Sequence, residues 1–196
     1  MIDPNGHDSF VLSQRIRPIV NQYEIALADG SPVAFVEQKR FTFKEDIRFY
    51  SDDSRTQELM RIKARQVFDP RATYDVVAAD GSKIGEIQKV FGESLLRSTY
   101  RIEGPGGTVK ATERSMPVAL LRRAVDFVPY VGSVADWLPI PYHFIFLRES
   151  EQIGELRRRM GIRDVYELDL SADPERVLDR RLALAVAVGM DALKAR

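Results

Sequence analysis

The chain has 196 residues, 44% hydrophobic and 30% charged, which is ordinary for a soluble globular protein and enough for one substantial domain. Lys+Arg and Asp+Glu both number 29, so no overall field favours nucleic acid. The absence of cysteine excludes disulfides, thiolate metal sites and cysteine nucleophiles.

Residues 1–19 read as a loose, flexible arm. Met1–Ser13 carries Asp3, His7 and Asp8 and no apolar core, so a signal peptide is not expected and a cytoplasmic location is the default. Next come Tyr23-Glu-Ile25, Asp29-Gly30, Val33 and Val36, followed by Gln38-Lys39. The same design returns as Tyr74-Asp-Val76, Asp80-Gly81, Ile84 and Ile87, then Gln88-Lys89. Asp-Gly between alternating apolar residues predicts a tight hairpin, because such turns need positive φ. A partial third copy runs from Tyr100-Arg-Ile102 through Gly104-Pro-Gly-Gly107 to Val109. A fourth runs from Tyr142-His-Phe144 to Ile153-Gly-Glu-Leu156. With further strands at 47–51, 59–67 and 165–169, the pattern predicts 11 or 12 meandering strands, no helical crossover and an internal duplication.

The strands are interrupted by residues 114–141. Val118, Leu120, Leu121, Ala124, Val125, Phe127 and Val128 share one half of a helical wheel, while Arg122, Arg123 and Asp126 share the other. A loop with Tyr130, Trp137 and three prolines follows, and those prolines argue against a transmembrane span. The chain ends in a predicted helix over 173–193, with Asp173 as its cap and Pro174 in its first turn. Its run Leu182-Ala-Leu-Ala-Val-Ala-Val-Gly-Met190 is apolar on every face and too short for a bilayer, which needs about 20 residues. Such a helix must be surrounded by protein. The upstream strands therefore predict a closed antiparallel barrel wrapped around it.

No catalytic constellation emerges. His7 lies in the arm and His143 stands alone on a predicted strand, where a structural role is the usual one. No nucleophile elbow or phosphate loop is present, and Gly104-Pro-Gly-Gly107 suits a turn better than a phosphate cradle. No cofactor or metal is expected. Cations form the better pattern: Arg61, Lys63 and Arg65 alternate along one strand face, Lys39-Arg40 end another strand and Arg157-Arg-Arg159 a third. Such stripes suit anionic headgroups; a solvated exterior paired with nearby carboxylates is the plainer reading.

Val36-Glu-Gln-Lys39, the Asp-Gly hairpins, Phe91-Gly92, Tyr142-His-Phe144 and Asp179-Arg-Arg-Leu-Ala-Leu-Ala185 resemble the tubby-like superfamily. Within it, the chain is similar to the bacterial branch of the scramblase and LURP-one-related families, over residues 20–195. The resemblance implies a mainly β fold, a single domain of about 12 strands over 20–196 with its central helix at 174–194. It departs from scramblases in lacking a cysteine-rich palmitoylation stretch, and Asp164, Glu167 and Asp169 are too sparse for a calcium cage of 6–8 oxygen ligands. The leading expectation is a non-enzymatic cytoplasmic binding module, peripheral at the inner membrane face and meeting anionic lipid through segment 117–142. Its contact residues would be Lys39, Arg40, Arg61, Lys63, Arg65, Arg122, Arg123, Tyr130 and Trp137. A protein–protein adaptor using the same patch is the alternative and an enzyme the distant third; nucleic acid is not expected as a partner.

Overall fold

A computed structural model describes residues 2–16, 20–39, 46–65, 73–90, 98–114, 143–159 and 165–192. Twelve strands follow one another: β1 (Ser9–Ile16), β2 (Val20–Leu27), β3 (Pro32–Lys39), β4 (Asp46–Tyr50), β5 (Glu58–Ala64) and β6 (Thr73–Ala78) come first. β7 (Lys83–Lys89), β8 (Thr99–Gly104), β9 (Gly107–Glu113), β10 (His143–Arg148), β11 (Glu151–Arg159) and β12 (Val165–Asp169) complete the set. Each pairs antiparallel with its chain neighbours, and β1 pairs with β12 to close the barrel. One helix, α1 (Arg180–Ala192), fills it. Eight strands enclose little more than their own side chains; twelve leave room for a helix about 10–12 Å across.

The repeated motifs are the same hairpin. In β2–β3 and β6–β7, Gly30 and Gly81 adopt φ of 86° and 87°, and Asp29 and Asp80 each accept the backbone N–H of the serine two residues on. Both hairpins carry a register shift, between Ile25/Ala26 and Val76/Val77, and β10–β11 carries another between Phe146/Leu147. On β7 and β11 the shift buries two consecutive residues, Ile84-Gly85 and Ile153-Gly154, and the second is a glycine. A Cβ on Gly85 would lie 2.3 Å from the Glu103 carbonyl oxygen and 2.7 Å from Leu182 Cδ1.

From Leu182 to Val188, and again at Met190, α1 is buried on all sides, as its composition predicts. Large and small residues alternate along it. At about 100° per residue this puts Leu182, Val186 and Met190 on one side, Leu184 and Val188 roughly opposite, and the alanines between. The helix is therefore broad one way and narrow the other. Gly85 and Gly104 stand where a broad edge arrives, since a Cβ on Gly104 would sit 2.6 Å from Leu182 Cδ1. Each large side chain removed from water contributes about 1.5–3 kcal/mol.

Two expectations fail. Residues 9–16 are not a loose arm but strand β1, whose Phe10 and Leu12 are each 1% exposed inside the barrel. The helix begins at Arg180, not at Pro174. Asp179 caps it by accepting the Arg181 N–H at 2.9 Å, and Asn5 of the same N-terminal segment accepts the Arg180 N–H at 2.9 Å. Asp173 instead holds a non-helical approach, accepting the N–H groups of Val177 and Leu178, each at 3.0 Å.

The two barrel ends differ. The tight hairpins, the start of β1 and the entry of α1 lie at one, here the turn end. The strand termini bordering residues 17–19, 40–45, 66–72, 91–97, 115–142 and 160–164 lie at the other, the connection end, toward which α1 runs.

Candidate functional site

The barrel interior is an unsuitable place for a ligand. The helix side chains occupy it, and glycines are needed for the wall to reach them. Function must therefore use the ends or the exterior.

At the turn end sits Arg180, 0% exposed and the largest fully buried side chain. Its Nη1 donates to Asp173 Oδ2 at 2.6 Å and to the Leu178 carbonyl at 3.0 Å. Nη2 donates to Asp8 Oδ1 at 2.6 Å and to the Asp173 and Leu170 carbonyls at 3.1 and 3.3 Å, and Nε to the His7 carbonyl at 3.3 Å. The guanidinium fork is used on every nitrogen, and Asp173 is only 2% exposed. With no donor left for a ligand, this cluster is a lock. It ties the N-terminal segment, the end of β12 and the start of α1 into one plug. The β8–β9 turn seals it, because a Cβ on Gly106 would fall 2.2 Å from the Val177 carbonyl oxygen.

On the exterior, Arg61 and Lys63 point outward from β5 while Ile62 points in, as the alternation predicts. Their surroundings are not those of a bare cation stripe. Arg65 donates to both carboxylate oxygens of Asp75, at 3.0 and 2.9 Å, and also pairs with Glu86. Lys83 bridges the same two acids at 3.0 and 2.8 Å. The hydrogen bond from Arg65 holds Asp75 below its usual pKa, that from Lys83 does the same for Glu86, and Arg65 is raised in turn. Arg61 lies 3.1 Å from Glu58. Lys63 is exposed and makes no ion pair among the described residues. Arg157 pairs with Glu155 at 2.8 Å and Arg159 with Glu167 at 2.7 Å.

His143 Nε2 lies 2.8 Å from Glu155 Oε2, which Arg114 also approaches at 3.7 Å. From the middle of β11 the carboxylate thus reaches the end of β9 and the start of β10, which flank residues 115–142, and the Arg114 N–H donates to the His143 carbonyl at 3.0 Å. This histidine has a structural place on the barrel wall. Among the described residues, no group of three or more His, Asp or Glu could hold a metal ion.

Of the expected contact residues, Arg61 and Lys63 fall on β5 and Arg65 follows its last residue. Lys39 ends β3, but its side chain lies outside the described residues, as do Arg40, Arg122, Arg123, Tyr130 and Trp137. No described helix is long and apolar enough to cross a membrane. The Arg180 lock escaped the sequence reading. Its one local signal was an arginine next to a wholly apolar run, which only a buried acidic partner could accommodate.

A family model described as LURP-one-related matches residues 33–191. No curated protein matches the chain.

Proposed function

The chain belongs to the LURP-one-related family, part of the tubby-like superfamily, and on that premise we propose that it is a non-enzymatic binding module that meets anionic membrane surfaces. The observation that supports this reading is the filled barrel. With α1 buried on all sides, its side chains occupy the described barrel interior, and this reading places recognition on the outside of the molecule.

Segment 117–142 is the part of the sequence best suited to such a surface. Its apolar half-wheel would enter the interface, Trp137 and Tyr130 would sit at headgroup depth, and Arg122 and Arg123 would meet lipid phosphates. The strands that flank it, β9 and β10, present their termini at the connection end. A cytoplasmic site of action at the inner membrane face follows from the same reading.

Trp137 is the single tryptophan, so its emission reports on that segment alone. Anionic vesicles should shift it to the blue and shield it from a soluble quencher, and Arg122→Glu/Arg123→Glu should weaken binding without altering the unfolding curve. Emission already blue-shifted and quencher-protected without lipid, and unchanged by vesicles, would overturn the proposal.

A further inference from the structure

We propose that Asn5-Gly6 is a site of covalent self-modification, a deamidation that the folded N-terminal strap holds back and that loosens the strap once it has occurred. The observation is a reactive dipeptide placed at the contact that starts α1.

The chain has two asparagines, Asn5 and Asn21, and only Asn5 precedes a glycine. An asparagine side chain is attacked most readily by the next backbone nitrogen when that residue is glycine, because no Cβ hinders the approach and the backbone turns freely. Asn21 is a built-in comparison, buried in β2 and followed by Gln22. Asn5-Gly6 lies in a 3₁₀ turn, Pro4–Gly6, with Asn5 half-buried and Gly6 exposed.

In the reaction the Gly6 nitrogen bonds to Asn5 Cγ, the Cγ–Nδ2 bond breaks, and Nδ2 leaves as ammonia with the Gly6 proton. Water then opens the cyclic imide. Addition at Cγ gives aspartate; addition at the main-chain carbonyl carbon gives isoaspartate, whose backbone runs through Cγ and is a methylene longer. Solvent water is the only co-reactant.

Folding commits each reacting group elsewhere. The Gly6 N–H donates to the Asp3 carbonyl at 3.1 Å, and the Asn5 N–H to Asp3 Oδ1 at 3.0 Å. Asn5 Oδ1 accepts the Arg180 N–H at 2.9 Å, and its amide nitrogen donates to Asp179. Attack therefore requires the strap to lift from α1, and the rate of reaction measures that local opening.

The product fits the strap less well. Asn5 satisfies two unlike groups, a donor on Arg180 and an acceptor on Asp179. An aspartate in its place could still accept from Arg180 but has nothing to donate to Asp179. Burial would raise the Asp179 pKa, yet hydrogen bonds from Arg181 and Asn5 hold it below its usual value, so a second carboxylate would face an ionised one. The start of α1 favours negative charge, but Asp179 already supplies it. Isoaspartate instead lengthens the backbone of a turn closed on Asp3. Either product frees the strap, and with it two partners of Arg180, the His7 carbonyl and Asp8.

In mildly alkaline buffer the protein should release ammonia and gain the mass difference between amide and acid, mapped to the peptide that holds Asn5. Mass separates this from Asp29-Gly30 and Asp80-Gly81, whose rearrangement loses and regains water without net change. The reaction should be slower in the folded protein than in urea. Asp8→Ala, which removes a bond from the strap to Arg180 and leaves Asn5-Gly6 as it is, should speed it without urea. Gly6→Ala should suppress it without lowering the unfolding midpoint, since no atom lies within 4 Å of the missing Cβ. Asn5→Asp, the product itself, should lower the midpoint; in an Asp179→Asn background, which keeps a capping side chain, that loss should shrink. Equal rates in folded and urea-unfolded protein, or in the parent and Asp8→Ala, would overturn control by the strap. An unchanged midpoint in Asn5→Asp would overturn the loosening. A mass gain as fast at Asn21 as at Asn5, or undiminished in Gly6→Ala, would overturn the site.

Discussion

Replacing Arg180 with methionine removes the head group of the lock while keeping the length of the side chain. The Asp173 carboxylate, 2% exposed, would then keep the Val177 and Leu178 N–H groups but lose its counter-charge, and the carbonyls of His7, Leu170, Asp173 and Leu178 would each lose one donor. Breaking a buried pair from one side costs about 3–5 kcal/mol, against a total stability of about 5–15 kcal/mol for a domain. With a urea m-value of about 2 kcal/mol/M, the midpoint should fall by about 1.5–2.5 M at unchanged m. Arg180→Lys should recover only part of this, because an ammonium supplies three donors where the fork supplies five. Arg181→Met is the control. That side chain is partly exposed and pairs with Asp179 alone, so its loss should cost about 1 kcal/mol or less. An Arg180→Met midpoint within about 0.3 M of the parent, or an equal loss from Arg181→Met, would refute the lock.

Val186→Asp places an unpaired charge where the native residue is 1% exposed, and should abolish cooperative folding as read by circular dichroism. Gly30→Val and Gly81→Val should each cost about 1–2 kcal/mol in thermal melts, through positive φ alone, since no atom lies within 4 Å of either missing Cβ. Gly104→Ala should cost about 1–3 kcal/mol by overpacking instead, and Leu182→Val should relieve part of that, which a double-mutant cycle detects. The folded pKa values of Asp75 and Glu86 are depressed, so their contribution is present above the ordinary carboxylate range near pH 4 and is lost as pH falls through the folded values. The Tm difference between the parent and Asp75→Asn/Glu86→Gln should therefore shrink below about pH 4; a constant difference would contradict the network.

What could be read from the sequence was whatever local chemistry decides. An Asp-Gly pair in a tight turn has one economical conformation, and Gly30 and Gly81 adopt it. A nine-residue apolar run has no amphipathic solution, so burial of α1 on every side was legible together with the barrel that buries it. The failures share the opposite property. Asp173-Pro174 is a strong local helix start, yet its carboxylate is shared by the Val177 and Leu178 N–H groups and the guanidinium seven residues later, and the helix starts only at Arg180. Ser9–Ile16 was hidden because one of its partners is β12, more than a hundred residues on, and two inward apolar side chains are too few to announce a strand. The outward face of Arg61 and Lys63 was legible, but not the carboxylates that surround this stripe. Asp75 and Glu86 become neighbours of Arg65 only once three strands are in register.

The same division separates stability from recognition. The turn end is crowded with contacts that fix α1: the Arg180 fork, the Asn5 and Asp179 caps, and the Gly106 approach to Val177. A change there propagates into the core. At the connection end the wall strands finish on exterior ion pairs, each worth little on its own, and the connections between strands can differ in length without disturbing the lock. Residues 114–142 are the longest of these connections and carry the only tryptophan. A barrel filled by its own helix can still acquire new surfaces, but only at the end away from the plug.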